Sequence, residues 1–191
     1  ATGPVGATGP VGATGPAGVQ GPAGATGGYS VHTIGESYGG GIVFYVYDGG
    51  QHGLIASTSD QSSSMRWYGG TYVNTGATAD GIGAGLKNTA IIIANQAPVD
   101  GNPFAASVCN DYSVTVAGVT YGDWYLPSKY ELNLLFLQRN VVGGFSTAAQ
   151  NAYYSSTEDD YGDAFAQYFT SGSDFQSPKY APGYVRAIRA F

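Results

Sequence analysis

The sequence predicts a collagen triple helix followed by an α+β domain. Three observations carry this expectation. Glycine recurs at every third position from 3 to 27; a β-branched and aromatic run doubles back on itself between residues 42 and 56; and a capped apolar segment starting at Ser128 is followed by strand-like segments up to Phe191.

The first element is set by Gly3, Gly6, Gly9, Gly12, Gly15, Gly18, Gly21, Gly24 and Gly27, with Pro4, Pro10, Pro16 and Pro22 each directly following one of these glycines. Three chains wound about one axis leave no room there for a Cβ, and proline in the next position holds φ near the value required. A stalk over residues 1–27 and a homotrimer are therefore expected. Glycine-rich composition alone also permits a flexible linker, but unbroken register over nine triplets favours the triple helix. No charged residue precedes Glu36, so interchain Lys–Glu pairs cannot stabilise such a stalk. Its length would be on the order of 80 Å. Residue 1 is already in register, so further repeats upstream or a removed signal segment are expected.

Residues 28–37 read as a neck and residues 38–191 as one head domain, long enough for one core and too short for two. All 13 acidic and 7 basic residues lie beyond the stalk, giving a net charge of −6. That balance excludes long-range attraction of nucleic acid or of an anionic membrane surface. A local basic patch at Arg186 and Arg189 remains open. Cys109 is the single cysteine, so no intrachain disulfide forms; a buried apolar role is expected, with an interchain bridge or reactive thiol as the alternative. No apolar run approaches the ~20 residues of a membrane span, so membrane insertion is not expected.

Ile42–Tyr47, Asp48-Gly49-Gly50 and Gly53–Ala56 predict a hairpin, and residues 57–79 an irregular loop with short strands. Residues 85–96, with Leu86, Ala90, Ile91, Ile93 and Ala94 at helical spacing, predict a first helix. A shorter one is expected over residues 104–112, with Ala105, Val108, Cys109 and Tyr112 on one face. Ser128-Lys129-Tyr130-Glu131 is a capping box behind Pro127; Leu132, Leu135 and Phe136 supply the buried stripe and Gly143-Gly144 the stop. Strands are expected over residues 152–156, 164–170 and 184–191, and Trp124 in the core.

With these segments in place, the head resembles the C-terminal domain family of the Legionella collagen-like protein. The resemblance is carried by Gly40-Gly41-Ile42-Val43-Phe44, Asn88-Thr89, Ala105-Ala106 with Cys109 and Tyr112, residues 123–132, residues 154–158 and residues 184–189, in family order. It implies a C-type-lectin-like fold in a secreted or cell-surface protein. The best-known relative is associated with glycosaminoglycan binding and cell clumping. Seven basic residues against thirteen acidic ones do not suit a sulfated polyanion, so that ligand is not carried over. The fold is also similar to that of sulfatase-modifying enzymes, but one cysteine provides no thiol pair for their chemistry.

Two candidate sites follow. Glu158, Asp159, Asp160 and Asp163 offer hard oxygens in one loop and could hold calcium, as loops of C-type lectins do; the alternative is a solvated turn. Trp67, Tyr68 and Tyr72 could stack on the apolar faces of sugar rings, although most of the tyrosines must fill core and interfaces. His32 and His52 are expected at the surface or in loops. Ser155-Ser156 lacks a nucleophile context, and residues 81–85 lack the lysine and serine or threonine of a phosphate loop, so an enzyme is not expected and no cofactor besides calcium is implied. Two roles stay open: a unit of an extracellular fibre or surface appendage in which neighbouring trimers touch, and an adhesin whose head binds host or matrix glycans.

Overall fold

The computed structural model describes residues 1–6, 30–96 and 100–191. Residues 1–6 carry no regular secondary structure and are exposed, and a Cβ at Gly3 or Gly6 would meet nothing within 4 Å. The expected stalk glycines from Gly9 to Gly27 lie outside the described residues.

The head begins with β1 (Ser37–Tyr38), β2 (Gly41–Tyr47), β3 (His52–Ala56) and β4 (Ser62–Met65). Helices α1 (Ala84–Asn95) and α2 (Ala105–Asn110) follow, then the hairpin β5 (Val114–Val116) and β6 (Val119–Tyr121). Helices α3 (Lys129–Leu137) and α4 (Arg139–Val142) lead into β7 (Ala152–Glu158), β8 (Asp163–Tyr168), β9 (Asp174–Pro178), β10 (Gly183–Val185) and β11 (Ile188–Ala190). One sheet has the order β1-β2-β3-β11 and a second the order β4-β10-β7-β8-β9, in which only β10 and β7 run parallel. This is a small, mostly β, α+β domain, and none of its sheets closes into a barrel.

The near-continuous apolar runs of β2 and β3 have a structural cause: both faces of their sheet are covered. Neighbouring side chains point to opposite faces of a strand. Val43, Ile55, Trp124, Tyr154 and Ala187 therefore join one buried cluster with Ile92, Phe104, Ala105 and Cys109 from the α1 and α2 side. Phe44, Leu54, Ala56, Tyr125, Tyr153 and Ile188 join the other, with Leu132 and Leu135 of α3. Each fully buried Val, Leu, Ile or Phe among them contributes about 1.5–3 kcal/mol. After Val185 the chain crosses from the second sheet to the first, tying the two together.

The capping box at Ser128 forms as predicted: Ser128 Oγ accepts the Glu131 amide at 3.2 Å and Glu131 Oε2 accepts the Ser128 amide at 2.9 Å. The helix breaks at Gln138, whose φ and ψ of −103° and 14° leave the helical region. The face of α1 differs from expectation. Leu86, Ala90 and Ala94 are exposed, while Asn88, Thr89 and Ile92 are buried. Polar ties override the apolar pattern, because the Asn88 side chain donates to the Ala79 carbonyl at 2.7 Å and Thr89 Oγ1 accepts the Leu126 amide at 3.0 Å. The β5–β6 hairpin turns through Ala117 and Gly118, both at positive φ, a geometry usually marked by Asn-Gly; it was not foreseen, nor was β9.

The expected neck is tied to the head from His32 onward: the His32 amide donates to Gly50 and the Gly35 amide to Val43. His32, expected at the surface, is buried at 7% exposure, stacked on Tyr38 with its Nδ1 2.9 Å from Glu36 Oε1. His52 is exposed as expected. Among the described residues, no helix is long and apolar enough to cross a membrane.

Candidate functional site

Lys179 brings the two candidate sites into one place. At the end of β7, Glu158 is buried with its Oε1 2.6 Å from Lys179 Nζ, and its two oxygens also accept the amides of Thr75 at 2.9 Å and Gly76 at 2.8 Å. Lys179, fully buried, donates further to the carbonyls of Asp160 at 2.7 Å, Tyr161 at 3.1 Å and Val73 at 3.2 Å. Its ammonium lies 5.0 Å from the Trp67 ring centre. Three N–H donors are thus shared among four oxygens. Burial works against ionisation of Glu158, but the ammonium and the two amides outweigh it and hold the carboxyl below its ordinary value.

The four residues of the expected calcium cluster are thereby divided. Glu158 serves the fold, with a lysine ammonium as its cation. Asp160 Oδ1 accepts the amides of Gly162 and Asp163 and closes its own turn. Asp159 is exposed and Asp163 half-buried at the start of β8. Among the described residues, no group of three or more His, Cys, Asp or Glu side chains is arranged to hold a metal ion.

The aromatic candidates divide as well. Trp67, a candidate for stacking on sugar rings, is fully buried, and its indole N–H donates to the Ser155 carbonyl at 2.9 Å. It is a core residue, its amide tied to the Lys179 carbonyl at 2.9 Å and its ring in the cluster with Val43 and Ile55. Tyr68 and Tyr72 do come together, their ring centres 5.0 Å apart, and Tyr161 extends the row at 5.6 Å from Tyr72. Tyr161 is 58% exposed, and the Arg66 guanidinium sits 5.6 Å from the Tyr68 ring centre. Arg66 is itself clamped by both carboxylate oxygens of Asp100.

The row exists because Lys179 binds the carbonyls of Val73 and Tyr161 at once, drawing together two loops nearly ninety residues apart in sequence. Tyr161 escaped the sequence reading. Its one signal in the sequence is its place inside the acidic turn.

A second buried carboxylate, Glu131, organises the starts of α1 and α3. Its oxygens accept the amides of Gly83 at 2.7 Å, Gly85 at 3.1 Å and Ser128, and the Tyr125 hydroxyl at 3.2 Å. Residues 81–85, which lack the residues of a phosphate loop, instead cradle a carboxylate, and α1 and α3 both start on the same anion, as helix dipoles favour. A side chain at Gly85 would collide with this carboxylate and with the Leu126 carbonyl. Burial raises the Glu131 carboxyl despite the amides, and burial together with Glu131 raises the Tyr125 phenol.

No basic patch forms at Arg186 and Arg189. Arg186 is buried, donating to Asp60 at 2.7 Å and to the carbonyls of Ser57 and Gly144, and Arg189 pairs with Asp123 at 2.6 Å. With Arg66, Lys129 and Lys179 also paired to carboxylates, five of the seven basic residues are neutralised in place. Cys109 is fully buried and burial raises its thiol well above the ordinary value, which suits the apolar role. Ser155 is buried, its hydroxyl given to the Phe165 carbonyl.

A cleft of about 330 Å³ lies where α3 meets β8 and β9, with the Lys129–Asp174 pair, at 2.6 Å, among its lining residues. No protein-family model matches this sequence, and no curated protein was found to be similar to it.

Proposed function

We propose that the chain is the subunit of a homotrimeric extracellular structural protein, a collagen-like stalk carrying a C-type-lectin-like head, that builds a fibre or surface appendage. The observation that carries this reading is glycine at every third position through nine triplets, a pattern with a mechanical meaning only where three chains share an axis. The head supports it with a tightly tied core, a neck fastened to β2, and basic groups largely neutralised within the domain. This role requires no catalytic residue. Sedimentation of the full chain should give the mass of three chains, circular dichroism the triple-helical signal with a cooperative melt, and electron microscopy linked particles at rising concentration. A single-chain mass would overturn the reading.

A second reading, an adhesin, is favoured by the row Tyr68, Tyr72 and Tyr161. Tyr161 is exposed and Tyr68 and Tyr72 are half-buried, and phenol faces suit the C–H faces of sugar rings. A glycan array probed with the full chain, with calcium and with a chelator, tests it. Binding that is lost in Tyr72→Ala and Tyr161→Ala supports the adhesin, and silence under both conditions removes it.

A further inference from the structure

We propose that the exposed apolar strip along the neck, formed by Val31, Ile34, Leu137 and Val141, is the surface through which the three heads of one trimer pack, each strip covered by the other copies of this chain. The proposal rests on the triple-helical reading above and adds where the heads meet.

These four side chains are 63%, 43%, 59% and 48% exposed, respectively. They belong to two adjoining segments. The neck runs along β2 through the amide bonds of His32 to Gly50 and of Gly35 to Val43, and Val141 Cγ1 lies 3.2 Å from where a Cβ of Gly35 would stand. Leu137 ends α3 and Val141 lies in α4, four residues on, across the join at Gln138 whose carbonyl accepts the Val141 and Val142 amides.

Chain geometry says what covers the strip. A triple helix that ends at Gly27 leaves four steps to Val31, a reach of at most about 14 Å at the length of an extended residue. In all three copies Val31 is therefore held close to one axis, and at a three-fold axis the same residues of each copy face one another. Ile82 and Leu86 are comparably exposed, at 40% and 54%, but no tether brings them to a common point.

Charge does not oppose the contact locally. Glu36 holds His32 and the Thr33 amide, and the Arg139 guanidinium lies over its own Phe136 ring at 4.1 Å. With each head at −6, the heads repel at long range, so an apolar contact at the neck is the element that keeps them together beside an uncharged stalk.

The test uses the full chain. Leu137→Asp/Val141→Asp should lose the trimer at concentrations where the unchanged protein sediments as one, and should lower the melting temperature of the stalk signal. Ile82→Asp/Leu86→Asp should match the unchanged protein. A strip variant with unchanged mass and melt overturns the inference and leaves the triple-helical reading standing; a single-chain mass for the unchanged protein overturns both.

A second measurement avoids any loss of folding. Because Cys109 is buried, Ile34→Cys introduces one accessible thiol, which on oxidation should link two chains of the trimer into a covalent dimer. Leu86→Cys should stay unlinked. Absence of linkage in an Ile34→Cys protein that sediments as a trimer, or equal linkage in both variants, overturns the inference.

Discussion

The head buries two glutamates by opposite means. Glu158 is matched by a cation: Lys179 neutralises it and two amides complete its shell. Glu131 has no cation and is held by three amides and a phenol at the starts of two helices. Their carboxyls move in opposite directions, Glu158 below the ordinary value and Glu131 above it. At Glu158 the paired ammonium and the amides outweigh burial, whereas at Glu131, the more deeply buried of the two, hydrogen bonds alone do not compensate the lost hydration.

The largest expected effect comes from breaking the paired site. Lys179→Met leaves Glu158 buried without its cation and frees two loops, and should destabilise the head by about 3–5 kcal/mol in chemical denaturation. Adding Glu158→Gln to it should cost less than the sum of the two single changes. If the costs simply add, the two residues do not act as a pair.

Glu131→Gln comes next. The amide group it introduces faces backbone donors where an oxygen now accepts, at a cost of about 1–3 kcal/mol, measured in the same way. A cost equal to that of Lys179→Met would erase the contrast.

The pH profile sharpens it further. Glu131 has a folded value raised above its ordinary 4.5, so over the interval above 4.5 the folded chain keeps a proton that the unfolded chain has released. Its contribution is therefore fully present below 4.5 and is lost as pH rises through the folded value. Glu158 is lowered, so its contribution is present above 4.5 and is lost as pH falls through its folded value. Stability should rise slightly on mild acidification and then fall. Glu131→Gln should abolish the rise, and Lys179→Met should weaken the fall; thermal melts across pH check both.

The smallest effect is expected at Arg189, whose partner Asp123 is largely solvated at 57% side-chain exposure. Arg189→Lys should change stability by about 0.5–1 kcal/mol. A larger loss would show that its contact with the Tyr121 ring, 4.7 Å from the guanidinium carbon, outweighs the ion pair.

The contrast also marks how far the sequence could be read. The Glu131 cap was legible because Ser128 and Glu131 stand three residues apart and a helix start fixes that spacing. Its second role, cradling the amides of Gly83 and Gly85, was not, because those residues lie more than forty positions away. The Glu158 pair, 21 positions apart, is likewise invisible in the sequence, where the acidic turn reads as either a calcium loop or a solvated turn. Trp67 looked like a ligand platform because a surface aromatic and a core aromatic are identical in sequence. In α1 the periodicity gave the helix but the wrong face, since buried Asn88 and Thr89 are read as polar until their partners are known.

By itself, then, the sequence determined whatever depends on near neighbours: the three-residue glycine period, the β2–β3 hairpin, the cap of α3 and the approximate extents of the helices. Only the tertiary structure decided which carboxylate meets a lysine, which tyrosines form a row, and that the neck is fastened to β2. Local spacing fixes backbone geometry through sterics and short-range hydrogen bonds, whereas the partner of a buried charge or ring is set by how distant segments pack, and no periodicity in the chain encodes that distance.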